Sequence, residues 1–264
     1  MNQTQHLQKI LLMMAKDIDA VCKKYNIPYY LLGGTSLGAK RHKGFIPWDD
    51  DFDIVVPVEN YDSFLNICKK QLPSEKYYVQ CGLTDWPEDF SKIKLRNTEI
   101  FEKGNYINPS GENGIYIDVF RLDHGANSYF GQIIQYVCGK LWLSYTMSQK
   151  GYKPDGLIRK LSMSISKLLN INPIKRFIRG QYLRYNNQDT MFYSEILGRA
   201  RFHNAFTPKD IYGKPTYTTF ENFQFPVQEM HHEYLSRIFG NYMDLPPEED
   251  RKGLHITSIN FGKY

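Results

Sequence analysis

Four aspartates, Asp49, Asp50, Asp51 and Asp53, crowd into "HKGFIPWDDDFDIVV", residues 42–56, directly against the apolar run Ile54-Val55-Val56. Like charges repel at this spacing, and a carboxylate resists burial unless it is paired or bound to a metal. On a strand, Asp51 and Asp53 project to one face with Cα atoms ~6.5 Å apart, while Phe52 and Ile54 project to the other. Two carboxylates at a sheet edge can share magnesium, which prefers oxygen ligands and keeps positions open for phosphate oxygens. A third acid, Asp118 in "IYIDVF", sits in the same setting at an apolar strand. Together these three define a candidate metal site for phosphoryl transfer. Asp49 and Asp50 read as partly solvated turn.

Upstream, "LLGGTSLGAKRHKG" runs a strand into Gly33-Gly34 and then Thr35-Ser36 at a helix start. Free backbone N–H groups and the helix dipole favour an anion there, and glycine permits close backbone approach. The pattern is neither GxxxxGK[ST] nor GxGxxG. Followed within twenty residues by a strand-borne Asp-x-Asp, it is similar to the nucleotidyltransferase superfamily.

The elements that must position these residues follow from periodicity. Leu7, Ile10, Leu11, Met14, Ile18 and Val21 predict a helix over 5–25, ended by Asn26-Ile27-Pro28. Thr35 or Ser36 is the expected cap of the next helix, and Gly44 its stop. "FDIVV" reads as a buried strand closed by Pro57, and "NYDSFLNICKKQL" as a helix opened by Asn60 or Asp62. "YYVQCG", "FSKIKLRNTEIFE" and "GIYIDVFRLD" read as strands. Residues 126–190 have helical periodicity instead. Between Gly151 and Tyr185 lie Lys153, Arg159, Lys160, Lys167, Lys175, Arg176, Arg179 and Arg184 against Asp155 alone. "PKDIYGKPTYTTFENFQFPV" predicts an aromatic hairpin and "QEMHHEYLSRIFG" a helix. The expected fold is α/β in the α+β sense. It has a nucleotidyltransferase-like mixed sheet flanked by helices over 1–125, a basic helical insertion over 126–190, and a hairpin and helix completing the catalytic domain over 191–264.

Composition sets limits. The 264 residues carry 33 Lys+Arg and 28 Asp+Glu, a net +5, which suits an anionic ligand or surface without demanding one. The four cysteines show no CxxC spacing, which disfavours a zinc site or disulfide framework and suggests a reducing compartment. The N-terminus lacks a secretory pattern, and no run approaches the ~18 apolar residues of a membrane span. The expected location is cytoplasmic, with peripheral association at the inner face of the cell membrane.

The segment "GGTSLGAKRHKGFIPWDDDFDIVV" resembles the signature of the LicD family, the phosphocholine transferases of bacterial surface polysaccharides, related to the fukutin-type ribitol-phosphate transferases. "SKIKLRNTEI", "GIYIDVFRLD", "DIYGKPTYTTFENFQFPV" and "YLSRIFGNYMDLPPEEDRKGLH" are also similar to that family, so the resemblance covers most of the chain apart from 126–190. It implies magnesium (or manganese)-dependent transfer of a phospho-alcohol, typically phosphocholine from CDP-choline, to a hydroxyl of a cell-surface glycan, teichoic acid or lipopolysaccharide precursor, with CMP leaving. By resemblance, Asp51 and Asp53 hold the metal, and Asp118 is a third ligand or the base for the acceptor hydroxyl. Gly33, Gly34, Thr35 and Ser36 line the phosphates. Arg41, His42 and Lys43 supply charge to the diphosphate. Lys92, Lys94 and Arg96 alternate on one strand face toward phosphate, acceptor or solvent, with Lys94 taken as a substrate contact. His255 is a further candidate. A choline head group wants an aromatic cage, for which Trp48, Trp86, Tyr106 and Tyr116 are candidates.

The implied partners are a CDP-alcohol donor, a glycan or lipid-linked glycan acceptor and an anionic membrane surface, with no nucleic acid. Two other readings stand beside this one. A nucleotidyltransferase would move a nucleoside monophosphate from a triphosphate and release pyrophosphate. A non-catalytic membrane- or glycan-binding protein would act through the basic module.

Overall fold

The computed structural model describes residues 2–84, 86–102, 111–149, 156–198, 200–253 and 256–264, apart from the side chains of 158, 159, 167 and 168. The chain forms two compact units, one of 1–86, 90–121 and 211–264, the other of 87–89 and 122–210. The class is mixed α/β, as expected.

The first unit opens with α1 (Gln3–Tyr25), capped by Asn2 in a capping box with Gln5 and closed by Asn26 in the left-handed region. Its buried face, Leu7, Ile10, Leu11, Met14 and Ile18, carries the predicted three-and-four spacing. Then come β1 (Tyr30–Leu31), α2 (Gly33–Arg41), β2 (Asp53–Pro57), α3 (Val58–Gln71), β3 (Tyr77–Gln80), β4 (Ser91–Leu95), β5 (Glu99–Glu102) and β6 (Tyr116–Gly125). The core sheet has the order β1-β2-β6-β4-β3. β1 and β2, β3 and β4, and β4 and β6 are antiparallel pairs. Phe52, Ile54, Val56, Ile93, Leu95, Ile117 and Val119 pack with α1 and α3 in one core. The central acidic strands are therefore anchored by apolar neighbours on the same chain segments.

Several local expectations change. "FSKIKLRNTEIFE" is two strands rather than one, because Asn97 takes φ +61 and turns the chain after Leu95. α3 begins at Val58 behind Pro57, earlier than Asn60 or Asp62. α2 begins at Gly33 with Leu32 preceding it, so neither Thr35 nor Ser36 is the cap. Asp51 precedes β2, which starts only at Asp53. Arg96 lies beyond the end of β4 and pairs with Glu112, so it does not extend the lysine alternation.

The second unit takes the end of β6, whose residues Asp123–Gly125 pair antiparallel with β7 (Phe192–Ser194), which pairs in turn with β8 (Phe206–Pro208). Its helices are α4 (Tyr129–Gln149), α5 (Leu157–Ser166) and α6 (Asn172–Tyr182), around Trp142, Tyr145, Leu169, Tyr182 and Ile196. α7 (Lys209–Tyr212) leads back to the first unit. There β9 (Thr216–Phe220) and β10 (Phe223–Val227) form the expected hairpin, with Glu221 at φ +54 in its two-residue turn. α8 (His231–Phe239) follows, and β11 (Ile256–Asn260) pairs with β5.

Candidate active site

The acidic run sits where α2, β2 and β6 meet, and the local chemistry explains its placement. The Asp53 amide donates to Thr35 Oγ1 at 2.9 Å, and Leu32 N–H donates to the Asp53 carbonyl at 3.0 Å. Thr35 thus ties the start of α2 to the start of β2. Gln8 Nε2 donates to the carbonyls of Ile46 (3.1 Å) and Asp49 (3.0 Å), so α1 holds the incoming loop. The Asp118 amide donates to the Phe52 carbonyl at 3.2 Å, bringing β6 alongside the run.

The carboxylates converge as a consequence. Asp49, Asp50 and Asp51 each place an oxygen within 4.8 Å of the others. Asp49 is therefore part of the cluster rather than a solvated turn residue. Burial, followed by the charges of Asp51 and Asp50, pushes its carboxyl up to about 8. Burial, followed by Asp51, Asp118 and Asp49, pushes Asp53 well above the usual carboxylate range, with Lys92 pulling the other way. Acids that raise one another in this way form a site that lacks positive charge. Oxygen donors in a charge-deficient cluster fit a hard divalent cation.

Lys92 is the residue whose importance the sequence understated. It is 3% exposed, and its Nζ lies 3.0 Å from Asp118 Oδ1 and 3.6 Å from a Glu102 oxygen. Its ammonium sits 3.3 Å from the centroid of the Tyr116 ring and 5.4 Å from that of Trp86. The Tyr116 hydroxyl donates to Glu102. The cause is register: Lys92 stands opposite Asp118, and Lys94 opposite Tyr116, on the β4–β6 ladder. Neither lysine is on a solvated face. Lys94 is 4% exposed and donates to the Glu112 carbonyl at 2.6 Å. The faces of Trp86 and Tyr116 are occupied by the protein's own lysines. Tyr106 lies outside the described residues.

The glycine turn lies beside the acids. Gly33 adopts φ +52, in the left-handed region that favours glycine. A Cβ on Gly34 would meet Asp49 Oδ2 at 3.3 Å. At the start of α2, the N–H groups of Gly34 and Thr35 have no intrahelical acceptor, so an anion bridging to a metal in the acid cluster would find donors there. The Ser36 hydroxyl faces inward instead. It contacts Gln228 Oε1 at 3.2 Å and His231 Nε2 at 3.0 Å, fastening α2 to α8. Burial first, then Lys40, pushes His231 down to about 4, so it is neutral at physiological pH.

The basic segment after α2 is divided among roles. Arg41 Nη1 donates to the carbonyls of Tyr242 (2.8 Å) and Asp244 (3.0 Å), which fixes the C-terminal loop. His42 stands edge-on to Trp48 at 6.2 Å, its pKa lowered by burial and then by Arg41. Lys43 is exposed at φ +58, and its carbonyl accepts from the Glu221 amide. Trp48 is half-buried with the Arg251 guanidinium 5.8 Å over its ring. A Cβ on Gly253 would meet Asp50 Oδ2 at 2.9 Å, so the C-terminal segment passes along the acid loop. His255 itself lies outside the described residues.

Comparison with known proteins agrees with this geometry. Residues 26–143 match the LicD/FKTN/FKRP nucleotidyltransferase domain, a span that contains the glycine turn, the acidic run, Lys92 and Asp118. Over 266 aligned residues the chain is 28% identical to the lipopolysaccharide cholinephosphotransferase LicD of Haemophilus influenzae, covering 94% of each protein. Shorter matches join it to uncharacterised proteins of Rickettsia typhi (38% identity, 27% of this chain, 25% of that one) and Rickettsia prowazekii (37%, 23% and 30%).

Proposed function

We propose that this chain, which carries a LicD-family nucleotidyltransferase domain over residues 26–143, is a transferase of phosphocholine or a related phospho-alcohol. The donor is a cytidine diphosphate-activated alcohol, CDP-choline first among them. The acceptor is a hydroxyl of lipopolysaccharide or another cell-surface glycan precursor, and CMP leaves. The full-length similarity to a lipopolysaccharide cholinephosphotransferase supports the choice of reaction. The observation that carries it is the gathering of Asp49, Asp50, Asp51, Asp53 and Asp118 beside the start of α2, with Lys92 paired to Asp118.

Each part of the chain then has a task. Asp51 and Asp53 hold a divalent cation, magnesium or manganese, with Asp49 contributing to the same negative pocket. The cation supplies charge neutralisation for the diphosphate and the departing CMP. Backbone N–H groups at Gly34 and Thr35 orient phosphate oxygens. Lys92 fixes the Asp118 carboxylate in place, either as a further cation ligand or to accept the proton of the sugar hydroxyl. Little covalent chemistry falls to the protein in such a transfer, so positioning and charge dominate.

The test is CMP release from CDP-choline, CDP-ethanolamine, CDP-glycerol and CDP-ribitol, with glycan acceptor, in magnesium and in chelator, for wild type and Asp53→Ala. Magnesium-dependent CMP from one donor, lost in Asp53→Ala, is the expected result and names the alcohol. Pyrophosphate release from a nucleoside triphosphate with no turnover of any CDP-alcohol would overturn the reading.

A further inference from the structure

α5 is built inside out. Ser162 Oγ meets Ser144 Oγ of α4 at 2.6 Å, and Ser166 is fully buried with its hydroxyl donating to the Met163 carbonyl. Three apolar residues of α5, Leu157, Leu161 and Ile165, are 85%, 63% and 45% exposed. They recur every four residues and form one stripe on the solvent side. α6 has apolar residues on both sides. Tyr182 packs inward and Ile178 packs against the same cluster, while Ile174 and Phe177 face solvent, Phe177 at 62% exposure. Folding alone places apolar stripes inward. Two consecutive helices that turn them outward mark a surface meant to be covered.

The charge pattern indicates what covers it. Residues 156–188 contain seven Lys or Arg and no Asp or Glu. Lys160 and Arg176 are exposed on the same two helices as the stripes. Lys175, Arg176 and Arg179 line an open cleft of about 350 Å³ along α6, where Lys175 donates to the Tyr145 hydroxyl at 3.2 Å and Arg179 Nε lies 3.6 Å from an Asp89 oxygen, which leaves Arg176 as its exposed cation. Helices of 10 and 11 residues are far shorter than the ~20 residues needed to cross a bilayer. No helix among the described residues is long and apolar enough to do so. Short basic helices with an apolar stripe lie in the plane of a membrane interface, where apolar insertion and attraction to anionic headgroups act together.

We propose that the solvent-facing stripes of α5 and α6 dock this chain on an anionic lipid bilayer, with Lys160 and Arg176 meeting lipid phosphates. The docking goes beyond the transferase reading, because vesicle binding is measured without turnover.

Sedimentation of the whole chain with phosphatidylglycerol-containing vesicles and with pure phosphatidylcholine vesicles tests this. We expect binding to the anionic vesicles, at least tenfold weaker binding to the neutral ones, and weakening by added salt. Leu161→Ser with Phe177→Ser should lose binding at least tenfold. Lys160→Gln and Arg176→Gln should each cost about fivefold. All four positions are exposed, so circular dichroism and the melting temperature should stay at wild-type values. Failure of wild type to sediment with anionic vesicles overturns the proposal. So does wild-type binding by the Leu161→Ser/Phe177→Ser variant. A solution dimer that this variant breaks would assign the surface to a second copy of the chain and overturn it equally.

Discussion

The two units concentrate charge in opposite ways. In the first, aspartates are drawn together beside buried strands, and burial with their neighbours' charges raises the pKa of Asp49 and Asp53. In the second, cations spread over α5 and α6, each of which also exposes apolar residues. The acid cluster is costly to the fold, and Lys92 offsets only part of that cost from its pairing with Asp118 and Glu102. The basic helices carry little such cost, because their charges are largely solvated. Like charge kept in a buried pocket is relieved by protonation, by a partner such as Lys92, or by a small cation. Like charge kept on an apolar surface implies a large partner.

Breaking the pocket should have the largest effect. Asp53→Ala should reduce magnesium-dependent turnover about a thousandfold, while Leu161→Ser leaves turnover on a soluble acceptor unchanged. The comparison would collapse if both variants behaved alike in the same CMP assay. Lys92→Met should come next, since it removes the buried ammonium beside Asp118 and Glu102 at a cost of about 3 kcal/mol. Urea unfolding in chelator would measure it, and magnesium should restore part of the loss by supplying the missing positive charge.

Gly34→Ala sharpens the same point. Its Cβ would press on Asp49 Oδ2 at 3.3 Å, so we expect roughly tenfold weaker donor binding, of order 1.4 kcal/mol, in a titration with nonhydrolysable donor. A smaller effect is expected from pH. The Asp49 carboxyl is raised to about 8 in the folded chain, so the native state holds a proton that the unfolded state has released above about 4. In chelator, this residue's contribution to stability falls as pH rises from about 4 through 8. Asp49→Asn should flatten that slope in a pH series of melting curves. His231 acts in the opposite direction at lower pH. Its pKa is depressed to about 4, so its contribution is present above about 6.5 and lost as pH falls toward 4. The smallest effect belongs to the basic unit, where Leu161→Ser should change unfolding free energy by no more than about 0.5 kcal/mol.

Much of this was legible from residue order. The three-and-four spacing from Leu7 to Ile18 specified α1, because a helix has to bury a stripe. The glycine pair and the crowded aspartates are local features, so their neighbourhood at the start of α2 and β2 could be read from sequence order. Legibility failed where partners are distant. Lys92 and Lys94 look alike along β4, and only the antiparallel register with β6 places Lys92 against Asp118 and sends Lys94 to a backbone carbonyl. Ser36 looked like a phosphate contact until α8 brought His231 to it.

The sequence by itself determined that carboxylates would be concentrated beside apolar strands, that a glycine turn would precede them, and that a basic helical stretch would follow. Those properties are local, since they depend on residue type and on spacing within one segment. Tertiary structure alone decided which acids converge, which lysine serves them, and which faces of α5 and α6 remain outside. Each of those depends on strand register or on helix rotation against a neighbour. A shift of one residue in register reverses every side chain on a strand.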